Sequence, residues 1–165
     1  MDTLVGSELV VPKEQHSADS FDAFYRAEHV RTVRRIALIV GSVAAAEDIV
    51  HDAMTEVFHR WSHVREPAAY LRRSTMHGAF RWLRRREREP AHGSVPDRPA
   101  VAEARVTDLD GVLGGLPDRQ RAAVVLRYYD GLTEGQIAAE LGCRPGSVGP
   151  MLTRARSTLR KEWTT

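Results

Sequence analysis

Apolar side chains recur along this chain every three to four residues, and no segment alternates with period two over a useful length, so the pattern predicts helices and no strands. In "FDAFYRAEHVRTVRRIALIV", Phe21, Phe24, Tyr25, His29, Val33, Ile36, Ala37 and Val40 fall on one face of a first helix. Gly41 stops that helix and Ser42 can cap the next. The second helix, within "AEDIVHDAMTEVFHRW", carries a stripe of Ile49, Ala53, Val57 and Trp61. Pro67 suits the first turn of a third helix, "PAAYLRRSTMHGAFRWLRRRERE", anchored by Tyr70, Leu71 and Trp82. Further on, Thr107 or Asp108 can cap a short helix, and Pro117 fits the first turn of the one after it. In "LTEGQIAAELGCRPGSVGPMLTRAR", Ile137, Ala138, Leu141, Gly142 and Val148 stand at the offsets of a helix-turn-helix. A small residue packs at the crossing, a glycine makes the turn, and Val148 returns to the core. A generic helical pair with the same spacing is the alternative reading.

Composition divides this helical chain in two. At 165 residues and 42% hydrophobic, it can build one domain or two small ones with modest cores. Residues 65–88 hold eight arginines (65, 72, 73, 81, 84, 85, 86, 88) against Glu66 and Glu87. Residues 90–111 turn acidic, carry three prolines and few large apolar side chains, and read as a linker. The expected fold class is therefore all-α: two small helical domains joined by a flexible linker. The expected bounds are a tail over 1–19, a first domain over 20–89, the linker over 90–107 and a second domain over 108–165.

Charge bears on function too. The net charge is only +2, yet 22 of the 24 basic residues are arginine, whose planar fork suits phosphate and base edges. Codon usage in a GC-rich genome would give the same bias. A single cysteine, Cys143, excludes a disulfide framework and a cysteine-based zinc site, and fits a reducing compartment. The first twenty residues lack a basic leader followed by an apolar run, and no apolar stretch is long enough for a bilayer. A cytoplasmic location is expected.

The seven histidines raise a metal hypothesis, which the spacing weakens. Glu56 and His59 make one Glu-x-x-His, but a carboxylate-bridged metal pair needs a second copy on another helix, and the sequence has none. The ladder Asp48, His51, Asp52, His59, His63 reads more simply as a solvated or partner-contacting face. His29, inside the apolar stripe, is expected to be a hydrogen-bonded core histidine. No phosphate loop, nucleophile elbow or catalytic acid pair occurs, so no enzyme activity and no cofactor or metal are expected.

With both halves read, the chain resembles bacterial RNA polymerase sigma factors of the extracytoplasmic-function group over about residues 20–89 and 108–162. The segments carrying the resemblance are "AEDIVHDAM", "REPAAYLRRSTMHGAFRWLRRR" and, most specifically, "LPDRQRAAVVLRYYDGLTEGQIAAELGC". The resemblance implies an alternative sigma factor that binds core RNA polymerase and reads and melts promoter DNA. Its polymerase contacts would be the clamp helices of the largest subunit and the flap. An anti-sigma protein is a conceivable further partner, while a membrane or small-molecule substrate is not implied. For core-polymerase binding it nominates Asp48, His51, Asp52 and Glu56. For the downstream promoter element and melting it nominates Arg65, Tyr70, Arg72, Arg73, His77, Arg81, Trp82, Arg84, Arg85 and Arg86. The pocket for an unstacked base would lie between the loop 62–69 and the middle of the third helix, near His77. For the upstream element it nominates Arg144, Ser147, Arg154, Arg156 and Arg160. Two rivals remain: a free-standing helix-turn-helix regulator, which would not need the first half, and a sigma-like decoy that binds polymerase without initiating.

The chain departs from the family pattern at His51 and His77, where the family has glutamine and asparagine. It departs again at Gly149, Pro150 and Met151, where lysine, serine and arginine are common. Inside a helix the Pro150 ring would clash with the Gly146 carbonyl, at a cost of ~3 kcal/mol or more. Only a first turn tolerates it. The expectation is a lengthened "CRPG" turn, Ser147 as N-cap, and a reading helix that starts late with few donors.

Overall fold

The computed structural model describes residues 18–88 and 111–163, all in helices and their connections, with no strand among them. The expected 90–107 linker, the Thr107/Asp108 cap and nearly all of the expected N-terminal tail lie outside these residues. Three long helices form the first lobe: α1 (Ala18–Val40), α2 (Val43–His59) and α3 (Pro67–Arg88). The second lobe holds α4 (Asp118–Tyr128), α5 (Glu134–Leu141) and α6 (Val148–Trp163). No described helix is long and apolar enough to cross a membrane.

The boundaries follow from local chemistry. Gly41 ends α1, and its amide bonds the Ala37 carbonyl at 2.8 Å. Ser42 is extended, and its Oγ accepts the Ala45 amide, capping α2. Pro67 opens α3, where the missing amide costs nothing. Pro117 lies one place earlier than expected, at the N-cap of α4 with ψ 143°, because the helical φ/ψ values begin at Asp118. Thr133 and Gln136 form a reciprocal capping box on α5. Gly142 then takes φ +60°, a left-handed conformation that suits glycine and turns the chain toward α6.

Ile36, Ile39, Val50, Val57, Leu71 and Met76 fill the first lobe, each essentially buried. Leu126, Ile137, Ala138 and Val148 fill the second, as the helix-turn-helix offsets require. Burial of each large aliphatic side chain is worth roughly 1.5–3 kcal/mol. The α1 face is less uniform than its pattern. Tyr25 is exposed, and His29 is half-buried and stacked on Tyr25 (centroids 4.7 Å apart) rather than set in the core. Both sit near the outer end of α1, where Phe21, Phe24, Phe58 and Trp61 form an aromatic cluster that already closes that end of the bundle. The two lobes do not keep separate cores: their buried residues join in one apolar cluster.

Candidate nucleic-acid interface

The α2–α3 pair builds two concave surfaces. They exist because α3 crosses α2 closely at Gly78, where a Cβ would lie 2.8 Å from Ile49 Cγ2. Any larger residue would push the helices apart.

One groove, about 590 Å³, runs along this crossing. Asp48, Asp52 and Glu56 line one wall, Arg81, Arg85 and Trp82 the other. The resemblance nominates these acids and arginines for different partners; the fold sets them facing each other. Trp82 is half-buried, with the Arg86 guanidinium 5.4 Å from its ring centroid. His51 is exposed on α2.

Glu56 differs from its neighbours. Its carboxylate accepts hydrogen bonds from Tyr70 OH at 2.6 Å and Ser74 Oγ at 3.2 Å, and Arg60 lies 3.5 Å away. The Tyr70 bond, with Ser74 and Arg60, holds the carboxyl below its ordinary pKa, against a partial desolvation. The same bond raises the Tyr70 phenol. Glu56, expected on a free acidic face, thus straps α2 to α3 with its side chain only partly exposed. Helical periodicity cannot show this, since the partner lies on another element.

A second cavity, about 530 Å³, opens between the α2–α3 connection and the first two turns of α3. Arg60, His63, Val64, Arg65, Glu66, Ala69, Tyr70 and Arg73 line it. This cavity lies nearer the start of α3 than the pocket expected near His77. His77 is exposed one turn further along and takes no part in the lining, because one helical turn carries it past the mouth.

Arg73 at this cavity and Arg81, Arg84, Arg85 and Arg86 beyond it are exposed along α3. Arg72 is not: its Nε donates to Glu140 Oε1 of α5 at 2.8 Å, and its side chain is 24% exposed.

In the second lobe, Pro145–Ser147 form a 3₁₀ turn led by an extended Arg144, and α6 proper begins at Val148. Ser147 lies inside that turn instead of capping the helix, and its amide bonds the Arg144 carbonyl at 2.9 Å. The lengthened turn meets the constraint on Pro150, which occupies the first turn of α6. Met151 packs partly into the core, and Glu134 lies so near Gly149 that a Cβ there would be 3.3 Å from its carboxylate. The positions that would meet base edges thus offer no side-chain donor and have a carboxylate beside them. Arg144, Arg154, Arg156 and Arg160 are exposed, Arg156 with a 3.4 Å bond to Thr153.

Several polar residues that the sequence does not nominate join the lobes. Arg35 donates to Asp130 Oδ2 at 3.1 Å and to Thr75 Oγ1 at 3.5 Å, with Arg31 also 3.5 Å from Asp130. Arg121 donates to the Leu38 carbonyl at the end of α1, and Glu140 receives Arg72. No local signal marks them, for each looks like an ordinary surface charge.

Comparison with known proteins agrees over both lobes. Residues 26–89 match the family model for Sigma-70 region 2, and residues 107–159 match that for Sigma-70, region 4. The chain is 30% identical to the ECF RNA polymerase sigma factor SigM of Mycobacterium tuberculosis (strain H37Rv), covering 94% of this chain and 83% of that protein. It is 32% identical over 149 residues to the probable RNA polymerase sigma factor RfaY of Xanthomonas campestris pv. campestris, but spans only 37% of that longer protein. Its fold is similar to the sigma factor RpoE crystallised with the anti-sigma factor NepR from Bartonella quintana, at a TM-score of 0.68 and 18% identity, over 87% of this chain and 98% of that one.

Proposed function

This chain belongs to the extracytoplasmic-function RNA polymerase sigma factors, and on that footing we propose that it carries core polymerase to a small set of promoters and opens them there. The observation that carries the reading is the cavity at the start of α3 beside a line of exposed arginines. Promoter opening draws bases out of the stack at a few kcal/mol each, and a shaped cavity next to a cationic face offsets that cost. Arg65 and Arg73 on the rim suit the phosphates flanking such a base, and Tyr70 gives a surface on which it can stack. The groove between the α2 acids and the α3 arginines suits a helical segment of polymerase bearing charges of both signs. In this reading the protein contributes binding and deformation energy, polymerase performs the chemistry, and the site of action is the cytoplasm.

The second lobe is assigned a positioning role. Arg144, Arg154, Arg156 and Arg160 suit phosphates, while the start of α6 lacks groups to discriminate bases. Upstream specificity then rests on DNA shape, and the first lobe chooses the promoter.

Run-off transcription with purified core polymerase on genomic fragments tests this reading. Discrete transcripts that depend on the added chain are expected. Core binding without any transcript would establish the decoy reading, and duplex binding without core affinity the free-standing regulator.

A further inference from the structure

The acids that join the lobes are placed against cations of the other lobe. Asp130 lies where α4 gives way to the turn before α5, and its side chain is 4% exposed against an Arg35 side chain at 5%. Glu140, with a side chain 8% exposed, reaches from α5 to Arg72 on α3. A carboxylate on a guanidinium makes the contact a phosphate would make. Glu140 therefore occupies one arginine of the row otherwise exposed on α3.

The pairing is incomplete on both sides. Arg35 Nε and Glu140 Oε2 are buried without a hydrogen-bond partner among the described residues. Such atoms recover hydrogen bonds when water reaches them, so the closed arrangement keeps an uncompensated desolvation cost. Misdocked arrangements would strand whole charges. The ion pairs thus specify one closed geometry without locking it.

We propose that Asp130 and Glu140 form an intramolecular latch, which holds the second lobe on the first and withholds Arg72 from other anions until the lobes part. The latch follows from contacts within the chain; its effect on DNA rests on the function proposed above.

Spin-label distance measurements on the full chain test the latch directly. Labels go at Glu47→Cys on α2 and Ser157→Cys on α6, both exposed sites, in a Cys143→Ser background. One narrow distance population is expected in this parent. In D130N/E140Q it gives way to a broad, longer one while helicity is retained. E140R alone also lengthens the distance, and R72E/E140R, which exchanges the charges, shortens it again. A parental distribution in D130N/E140Q, or a charge exchange that fails to reclose the lobes, overturns the latch. With a fluorescent duplex oligonucleotide at ~0.1 M salt, E140Q should bind ~10-fold tighter than the parent, as expected when a mostly closed population is released. Adding R72A should remove that gain. Parted lobes with unchanged affinity would overturn the withholding of Arg72 and leave run-off transcription as the separate test of the function.

Discussion

Glu56 and Gly78 carry more of the α2–α3 geometry than their size suggests. The Tyr70 and Ser74 bonds favour ionised Glu56, so its contribution is complete above its ordinary value of 4.5 and is lost as pH falls through the lowered one. Tyr70→Phe should cost about 1 kcal/mol, since the site is only partly shielded, and should flatten the loss of thermal stability as pH falls below the ordinary Glu56 value of 4.5. An acid profile identical to the parent's would place the strap outside the stability of the lobe. At Gly78 an added methyl meets Ile49 at 2.8 Å, so Gly78→Ala should destabilise by about 1–3 kcal/mol in urea titrations. Combining it with Ile49→Ala should cost less than the sum of the two, the sign of relieved overlap. Residue roles were legible in the sequence where they depend on neighbours along the chain, as with the Ser42 cap and the Gly142 turn. They were illegible where they depend on another element. Glu56 reads as one more acid on a face, and His29 reads as core because periodicity does not register that Tyr25, one turn away, stays exposed.

On the scale of elements, α3 and α6 divide the expected work. If Arg84, Arg85 and Arg86 neutralise phosphates, replacing all three with alanine should lower the salt slope of promoter affinity by about 2–3 units, measured on the holoenzyme. An unchanged slope would mean that they only solvate the helix. Lysine at Asp48 and Asp52 should weaken core binding at least ~10-fold with helicity retained, because both acids line the groove beside Arg81 and Arg85. For α6, systematic base substitution in the upstream element should change affinity little opposite residues 149–151. A single-base preference worth ~1 kcal/mol or more there would contradict the loss of donors. The existence and order of the helices followed from apolar spacing alone. The late start of α6 followed from the chemistry of one proline, although the 3₁₀ turn that achieves it, in place of a Ser147 cap, needed three dimensions.

At the scale of the whole molecule, one apolar cluster spans both lobes, so thermal unfolding of the free chain should be a single transition by calorimetry. Two resolved transitions would show lobes that fold independently. Composition showed two lobes but not their docking, because Arg35, Arg121, Asp130 and Glu140 resemble ordinary surface charges until their partners are in place. The Arg121 contact has a kinetic consequence. It supplies the carbonyl of Leu38, at the end of α1, with a donor from 83 residues away, where the helix dipole also favours positive charge. If the proposed latch releases the second lobe, the last turn of α1 would lose that donor and fray more readily. The backbone amides near Val40 and Gly41 should then exchange with deuterium faster, while those of mid-α1 keep their rate. The end of α1 would then serve as a label-free clock for lobe separation, running faster in D130N/E140Q than in the parent chain.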